Sequence, residues 1–278
     1  MWISGFDDGE GSFMVRVFKD PRMKQGWRVS VLFSITLRKK DRALLELVQS
    51  YFEIGKIYNN GLTKIEYKVT SMKGLELLIR HFDRYPLITH KLADFLLWRK
   101  VISMMHLKEH LTREGLQSIV NIRASINLGL PESLKEAFPD TVGVMRPKVV
   151  NKIRDPQWLA GFTSAEGCFS VFVHKSTIYK LGKAVQLRFT LSQHLRDAEL
   201  MKSLYDYLGC GKFEKVTAYG GALNFHVYKF SDIREKIIPF FREYPIIGVK
   251  SEDFKSWCNV ADLIEEKKHL TVRVRPYL

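Results

Sequence analysis

The chain contains the stretch Trp2-Ile-Ser-Gly-Phe-Asp-Asp-Gly-Glu-Gly-Ser-Phe13 and repeats it as Trp158-Leu-Ala-Gly-Phe-Thr-Ser-Ala-Glu-Gly-Cys-Phe169. Position 2 corresponds to position 158, an offset of 156 that also relates Gly55-Lys56 to Gly211-Lys212. The offset becomes 159 where Tyr85-Pro86 corresponds to Tyr244-Pro245, and it persists to Trp98 and Trp257. A match sustained over this length with small insertions indicates a duplicated domain.

The composition is that of a folded protein with a strong positive charge. Hydrophobic residues make up 46% of the 278 positions and charged residues 27%, which provides a core and excludes the signature of disorder. The formal net charge is +14, and a field of this sign favours polyanions such as duplex nucleic acid. Charge alone also fits an acidic membrane surface, so the partner has to be identified from other features.

The cysteines and the lengths of the apolar runs indicate the cellular compartment of the protein. Three cysteines, Cys168, Cys210 and Cys258, are widely separated. Their odd number excludes a complete disulfide framework and their spacing fits no zinc knuckle, which predicts a reducing compartment. No apolar run is long enough to span a membrane, and no targeting segment precedes the first motif. We therefore expect no membrane partner, and a natural N-terminus that either continued upstream or was trimmed.

Each repeat has the pattern α-β-β-α-β-β-α with an extra closing helix, which predicts an α+β fold with two antiparallel sheets. The motif is expected to form a short helix that ends at Gly11 or Gly167 in the left-handed conformation. Alternating strands follow. The buried faces of these strands are predicted to include Phe13, Val15 and Val17, and Phe169, Val171 and Val173.

The same patterns place the remaining elements and the domain limits. In the first repeat they predict a helix from near Asp41, a hairpin from Lys56 to Thr70, and helices near 73–82 and 90–105. The repeats are assigned to residues 1–106 and 156–278. Residues 107–155 form a linker with helical segments near 112–127 and 131–138. Asp83, Asp94 and Glu243 are interpreted as ordinary surface charges on helices.

One face of each predicted sheet is polar and poor in acidic residues. Side chains of this kind read base edges and phosphates, so we predict that these faces bind DNA. In the first repeat the predicted DNA-binding residues are Arg16, Arg28, Ser30, Leu32, Ser34, Thr36, Arg38, Lys56, Lys64, Glu66, Lys68 and Thr70. In the second repeat they are Ser170, Phe172, His174, Gln186, Arg188, Thr190, Ser192, Lys212, Asn224, His226 and Tyr228.

Small residues at a spacing of four lie on one face of each motif helix. They are Gly5 and Gly9 in the first copy, and Gly161 and Ala165 in the second. This spacing lets two helix backbones approach closely. For one helix, tight packing against any neighbour explains it, but its presence in both copies indicates that the two helices pack together about a pseudo-twofold axis.

Such packing would bring Glu10 and Glu166 together at the two helix C-termini. Aligned carbonyl groups there already carry partial negative charge, so two carboxylates are unfavourable unless a cation joins them. Oxygen ligands with retained waters suit Mg²⁺, which can activate water for phosphodiester hydrolysis. A single Glu before a Gly is usually a solvent-exposed residue at a helix end without a special role. The presence of Glu10 and Glu166 at equivalent positions of the two repeats argues against that interpretation here.

These residues resemble a known family. The stretches Ile3-Ser-Gly-Phe-Asp-Asp-Gly-Glu-Gly11 and Leu159-Ala-Gly-Phe-Thr-Ser-Ala-Glu-Gly167 are similar to the two LAGLIDADG motifs of single-chain homing endonucleases. The stretch from Asn121 to Leu130, continued by Lys135-Glu-Ala-Phe-Pro139, resembles the linker of the subgroup encoded in fungal mitochondrial introns. The similarity covers nearly the whole chain, and the double motif with both downstream repeats is highly specific.

The resemblance implies a saddle of two αββαββα repeats in a monomer that cuts both strands of a long asymmetric DNA site. It implies a metal site at Glu10 and Glu166 with the preceding Gly9 and Ala165. Mg²⁺ is the expected ion, Mn²⁺ the expected substitute, and Ca²⁺ is expected to bind without supporting cleavage. It places basic residues near the scissile phosphates at Lys91 and Lys250, and a polar active-site residue at Gln193, whose counterpart is Leu37. It also implies encoding in a mitochondrion. Ser164 departs from the motif aspartate that Asp8 retains, a position that is usually structural.

Other interpretations remain open at this point. Some relatives act as RNA maturases that bind intron RNA, with or without DNA cleavage, and a nickase would follow if the difference between Leu37 and Gln193 disabled one strand. His106 and His110 have the spacing of two zinc ligands on a helix, but no third ligand accompanies them.

Overall fold

We describe the protein from a computed structural model that defines residues 1–149, 152–177, 182–216 and 221–268. They divide into two compact units. One unit comprises residues 10–150, and the other combines residues 1–9 with residues 151–278, so the first motif helix belongs to the unit of the second repeat. Linker positions 150 and 151, and positions 178–181, 217–220 and 269–278 of the predicted second repeat, lie outside the described residues.

The first repeat contains a four-stranded antiparallel sheet. Its strands are β1 (Gly11–Lys19), β2 (Trp27–Arg38), β3 (Lys56–Asn60) and β4 (Lys64–Val69), in the order β1-β2-β4-β3. The predicted alternation holds along β1, where Val15 and Val17 are buried while Arg16 is exposed. One face of the sheet therefore meets the core and the other remains polar.

Helices α2 (Arg42–Phe52), α3 (Met72–Arg84) and α4 (Lys91–His106) pack against the apolar face of this sheet, and α5 (Arg113–Ala124) packs on β1. Helix α6 (Glu132–Ala137) follows in the linker. Helix α1 (Trp2–Glu10) belongs up to Gly9 to the other unit. In the core, the Phe13 ring lies 5.2–5.5 Å from the rings of Phe33, Phe82, Phe95 and Trp98. Each buried aromatic side chain of this kind contributes roughly 1.5–3 kcal/mol through burial.

The linker is fastened to the first repeat by polar contacts. The Asn127 backbone N–H donates to Asp94 (3.0 Å), and its side-chain amide donates to the Phe13 carbonyl (2.9 Å). Arg146 forms an ion pair with Asp94 at 2.8 Å. Asp94 is only 3% exposed, so its interpretation as a surface charge was wrong, because the linker supplies a cation that lets this carboxylate be buried.

The second repeat forms a sheet of the same topology. Helix α7 (Pro156–Glu166) precedes β5 (Gly167–Lys175), β6 (Lys183–His194), β7 (Lys212–Val216) and β8 (Ala222–Val227), in the antiparallel order β5-β6-β8-β7. The helices are α8 (Ala198–Leu208), α9 (Phe230–Asp232), a π-helical turn (Ile233–Ile237), α10 (Ile238–Glu243) and α11 (Lys250–Glu265). The Phe169 ring repeats the role of Phe13, at 5.1–5.3 Å from the rings of Phe189, Phe254 and Trp257.

The two sheets differ in how completely their outer strands are covered. Val15 and Val17 are 2% and 7% exposed, whereas their counterparts Val171 and Val173 are 39% and 44% exposed. The prediction that Val171 and Val173 are buried is therefore wrong for the described residues. Helix α5 of the linker packs on β1, and within the described range no corresponding helix follows α11.

The motif helices also end differently from the prediction. Gly167 has φ −75° and ψ 150°, and Gly11 is not among the glycines with positive φ. Each helix therefore runs directly into its strand without a left-handed residue. Gly167 is needed for space instead, because a Cβ there would lie 2.6 Å from the Thr163 carbonyl oxygen.

None of the described helices is both long enough and apolar enough to cross a membrane.

Candidate functional site

Helices α1 and α7 pack against each other at the small residues of the motif. A Cβ added to Gly5 would overlap the carbonyl oxygen of Trp158 and lie 2.9 Å from the Phe162 nitrogen. A Cβ added to Gly161 would overlap the carbonyl oxygen of Trp2 and lie 2.9 Å from the Phe6 nitrogen. This matched pair of backbone approaches leaves no room for any residue larger than glycine.

The contact continues one turn further along both helices. A Cβ at Gly9 would overlap the Cβ of Ala165 and would lie 3.2 Å from Cγ and 3.4 Å from Oε1 of Glu166. The Glu166 carboxylate therefore lies beside Gly9, and Glu10 is the next residue of α1. Both carboxylates terminate their helices.

The motif aspartate and its serine counterpart have different partners. Asp8 is buried and accepts a hydrogen bond of 2.7 Å from the indole Nε1 of Trp158. Ser164 donates to the Ala160 carbonyl (2.8 Å) and accepts from the backbone N–H of Ile247 (3.2 Å). Trp2, the counterpart of Trp158, has a buried Nε1 with no hydrogen-bond partner among the described residues. Asp8 thus links the two motif helices, whereas Ser164 bonds within α7 and to the segment before α11.

Lys91 and Lys250 are the first residues of α4 and α11. The Lys250 ammonium donates to the carbonyl oxygens of Ala165 (2.7 Å) and Thr163 (3.3 Å). It is thereby held at the C-terminal end of α7, one residue from Glu166. At Lys91 the backbone N–H donates to the Thr89 hydroxyl (3.2 Å), which fixes the start of α4.

Gln193 lies near the end of β6, where it pairs with Leu223. Its side-chain oxygen accepts a hydrogen bond of 2.9 Å from the backbone N–H of His194. Its counterpart Leu37 pairs with Ile65 in the first sheet. The two repeats therefore differ chemically at this position.

The polar face of the first sheet is basic, and the acidic residue predicted on it, Glu66, is paired with a lysine. Lys68 forms an ion pair of 2.8 Å with Glu66 and lies 5.7 Å from the ring centre of Tyr58. Most predicted members of this face are at least partly exposed. Leu32 and Ser34 are only 3% and 2% exposed, so in this structure their side chains are covered and do not form part of the open surface.

The polar face of the second sheet is built from hydrogen-bonded and stacked groups. His226 contacts the Thr190 hydroxyl through Nδ1 (2.9 Å) and Glu214 through Nε2 (3.1 Å), and it is 9% exposed. The Arg188 guanidinium lies 4.6 Å from the ring centre of Phe172. The ammonium of Lys212 lies 5.5 Å from the ring centre of Tyr228, and hydrogen bonding to that phenol raises the pKa of Lys212.

Comparison with known proteins identifies the family. The model described as "LAGLIDADG endonuclease" matches residues 3–102 and 159–261, which contain both sheets and all but the first residues of both motif helices. The chain belongs to the LAGLIDADG endonuclease family.

Several LAGLIDADG relatives are similar over nearly the whole chain. "Probable intron-encoded endonuclease 3" of Neurospora crassa is 43% identical over 98% of this chain and 51% of its own length. "Probable intron-encoded endonuclease 2" of the same fungus is 40% identical over 97% of this chain and 61% of its own length. The chain thus spans about half to three-fifths of these curated relatives.

Solved LAGLIDADG structures share the fold closely. I-SmaMI bound to cleaved DNA is 45% identical, with a TM-score of 0.96 over 99% of this chain and 94% of that one. I-CpaMI bound to uncleaved DNA is 41% identical, with a TM-score of 0.93 over 98% of this chain and 94% of that one. The predicted fold, two αββαββα repeats with four-stranded antiparallel sheets, is confirmed.

The sequence pattern overlooked some residues that the strand register places on the polar faces. Tyr58 and Asn60 of β3 pair with Glu66 and Lys64, and Glu214 of β7 pairs with Asn224. Strands β3 and β7 are short, so alternation alone was a weak signal, and pairing with the longer neighbouring strand would have identified them.

The histidine pair considered for zinc does not form a metal site. His106 makes an ion pair of 3.0 Å with Glu76. Within the described residues, no group of three or more His, Cys, Asp or Glu side chains is placed to hold a metal.

Proposed function

We propose that this chain is a monomeric, site-specific DNA endonuclease that makes a double-strand break by metal-dependent phosphodiester hydrolysis. The observation that carries the proposal is the glycine contact of α1 and α7, which seats the Glu166 carboxylate beside Gly9, next to Glu10. The solved relative I-SmaMI, with which the chain shares its fold, has been crystallised with cleaved DNA and with uncleaved DNA in the presence of calcium ions.

The residues at the two helix ends fit a divalent cation. Glu166 offers a carboxylate, and the Ala165 carbonyl already accepts a hydrogen bond from a cationic ammonium. We infer that Glu10 and Glu166, with Gly9 and Ala165, hold Mg²⁺ when DNA is bound. The ion would polarise a water and stabilise the leaving oxygen. The glycine contact supports this because Gly9, the residue before Glu10, lies beside the Glu166 side chain.

The lysines hold positive charge near the carboxylates. Lys250 is oriented by the carbonyls of Thr163 and Ala165, and Lys91 occupies the corresponding position in the first repeat. An ammonium there stabilises the charge that develops on the phosphorane. Structures of I-SmaMI with one or two lysines replaced by alanine have also been determined. We assign Gln193 a supporting polar role at this site, in the second repeat only.

The polar sheet faces supply the recognition surface. The repeats carry different side chains at matched exposed positions, for example Arg16 and Phe172, so we propose a long, asymmetric target. The relatives named intron-encoded endonucleases support encoding within an intron, and we extend this to a mitochondrial intron. Mg²⁺ is proposed as the working ion.

The test is a cleavage assay of the purified chain on a randomised duplex library. Parallel reactions contain Mg²⁺, Mn²⁺, Ca²⁺ or EDTA. We expect double-strand breaks at one recurrent long site with Mg²⁺ or Mn²⁺, and binding without cleavage with Ca²⁺. Tight binding of structured intron RNA with no DNA cleavage would overturn the proposal in favour of a maturase, and a single-strand break would indicate a nickase.

Variants then locate the site. Glu10→Gln and Glu166→Gln are each expected to abolish cleavage while DNA binding persists. Glu136→Gln, on the exposed surface of α6, removes a charge of the same type elsewhere and is expected to cleave normally. Full double-strand cutting by either motif variant would refute the metal site.

A further inference from the structure

On the second sheet, the side chain of Arg188 lies against an aromatic ring. Its guanidinium on β6 lies 4.6 Å from the ring centre of Phe172 on β5. Phe172 is 42% exposed, although phenylalanine is among the residue types most often buried. The register pairs Ser170 with Arg188 and Phe172 with Gln186, so Phe172 and Arg188 are diagonal neighbours across the two strands.

The stacking fixes which edge of the guanidinium is available. Nε of Arg188 is buried and has no hydrogen-bond partner within the described part of the chain. Arg188 as a whole is partly exposed, so with Nε covered, the accessible part of the guanidinium is at its two Nη nitrogens. A fork of two parallel N–H donors matches the N7 and O6 acceptors of guanine in the major groove.

In the first repeat, the arginine lies on the outer strand and the apolar residue on the inner strand. With the offset of 156, Phe172 corresponds to Arg16 and Arg188 corresponds to Leu32. Arg16 is exposed on the outer strand β1, and Leu32 is buried on the inner strand β2. The second repeat therefore carries its cation on the inner strand β6, where the first repeat has a buried leucine, and an aromatic ring on the outer strand, where the first repeat has its arginine.

We propose that Arg188, held by Phe172, reads a single guanine in the half-site bound by the second repeat, at a position that the first repeat does not mirror. Phe172 is a positioning residue in this assignment and Arg188 is the base-reading residue. The inference rests on the proposed DNA-cleaving function and assigns the specificity of one position within it. An Arg–guanine pair discriminates against the wrong base by roughly 5- to 150-fold.

The experiment profiles Ca²⁺-dependent binding of the full chain to the selected site and to every single base-pair substitution of it. Wild type should prefer guanine at one position, and Arg188→Gln should lose that preference there alone. Phe172→Leu should weaken the same preference about threefold or more, while Phe172→Tyr, which retains the ring, should restore it. Replacing that guanine by 7-deazaguanine, which lacks N7, should weaken wild type and have little effect on Arg188→Gln.

A control comes from the first repeat, because Arg16→Gln should alter a different position in the other half-site. If Arg188→Gln weakens binding equally on all sequences, the residue contacts phosphate and the inference is overturned. If Phe172→Leu changes several positions at once, its role is structural and the positioning assignment fails. A wild-type chain that selects no site overturns both this inference and the proposed function, whereas selection with an unchanged Arg188→Gln profile overturns this inference alone.

Discussion

The two motif tryptophans differ in hydrogen bonding, so only Trp158 should be energetically coupled to the acidic position of the motif. Trp158 donates to the buried carboxylate of Asp8 at 2.7 Å, whereas Nε1 of Trp2 has no partner among the described residues. The rings are otherwise comparable, since Trp2 stacks on Phe6 at 5.2 Å and Trp158 stacks on Phe162 at 4.8 Å. The repeat therefore offers a matched pair for measuring one buried hydrogen bond.

A double-mutant cycle isolates this bond from the loss of packing. A hydrogen bond to a charged group contributes about 1.5–3 kcal/mol. The cycle of Trp158→Phe with Asp8→Ala should therefore give a coupling energy of about 2 kcal/mol. The cycle of Trp2→Phe with Ser164→Ala should give about zero, because Ser164 bonds to Ala160 and Ile247 instead.

The assay is urea unfolding of all variants, followed by circular dichroism so that the loss of tryptophan fluorescence does not interfere. A change in midpoint without a change in slope identifies an effect on stability. The reasoning is refuted if the Trp158 cycle gives less than about 0.5 kcal/mol, within the usual additivity of independent sites. Equal coupling energies in the two cycles would refute it as well.

Three further outcomes follow from the structure. Burial lowers the pKa of His81 to about 4, so the unfolded state binds the proton at a higher pH than the folded state does. The contribution of neutral His81 to the free energy of unfolding is therefore full above pH 6.5 and is lost as the pH falls from 6.5 towards 4, by roughly 3 kcal/mol. Urea unfolding at pH 7 and pH 4 should show a smaller loss of stability for His81→Phe, which has the residue type of the counterpart Phe240. Lys250→Met should reduce the single-turnover cleavage rate by about 10²-fold or more, with DNA affinity little changed. Lys255→Met, on the exposed side of α11, should cleave at the wild-type rate, and equal cleavage rates for the two variants would contradict the role of Lys250. Gly161→Ala should destabilise the chain, because its Cβ would overlap the Trp2 carbonyl, and an unchanged midpoint of thermal unfolding would contradict the close approach of α1 and α7.

The features that could be predicted from sequence are those set by local pattern and by the repeat. Alternation along β1 identified the buried face at Val15 and Val17. The four-residue spacing of Gly5 and Gly9, repeated by Gly161 and Ala165, identified the faces along which α1 and α7 meet. The motif also identified Glu10 and Glu166 as helix-terminal residues. Each of these depends on periodicity within one element, which a single sequence displays directly.

Residues whose environment depends on a distant segment could not be predicted. Asp94 is buried because Arg146 of the linker pairs with it, whereas its counterpart Asp253 is exposed. Val171 and Val173 are exposed although they have the pattern of Val15 and Val17, whose strand β1 is packed against the linker helix α5. Leu32 and Ser34 lie on the polar face and are nevertheless covered. Alternation within a strand assigns side chains to a face, but it does not determine how completely that face is covered.

The change of offset between the repeats shows how the fold absorbs insertions without disturbing the site. The offset is 156 at the start of β3 and β7, and 158 at the start of β4 and β8, so two residues are added in the hairpin between them. Helix α3 starts at Met72 and its counterpart at Phe230, again an offset of 158, but they end at Arg84 and Glu243, an offset of 159. The single extra residue lies within the helix, where the π-helical turn Ile233–Ile237 accommodates it. Both insertions precede the Tyr-Pro segments, so Lys91 and Lys250 each remain the first residue of their helix. The insertions are tolerated because both lie before Lys250 in the chain and are accommodated before α11 begins. A shift of one residue at the start of α11 would displace the Lys250 ammonium from the carbonyls of Thr163 and Ala165.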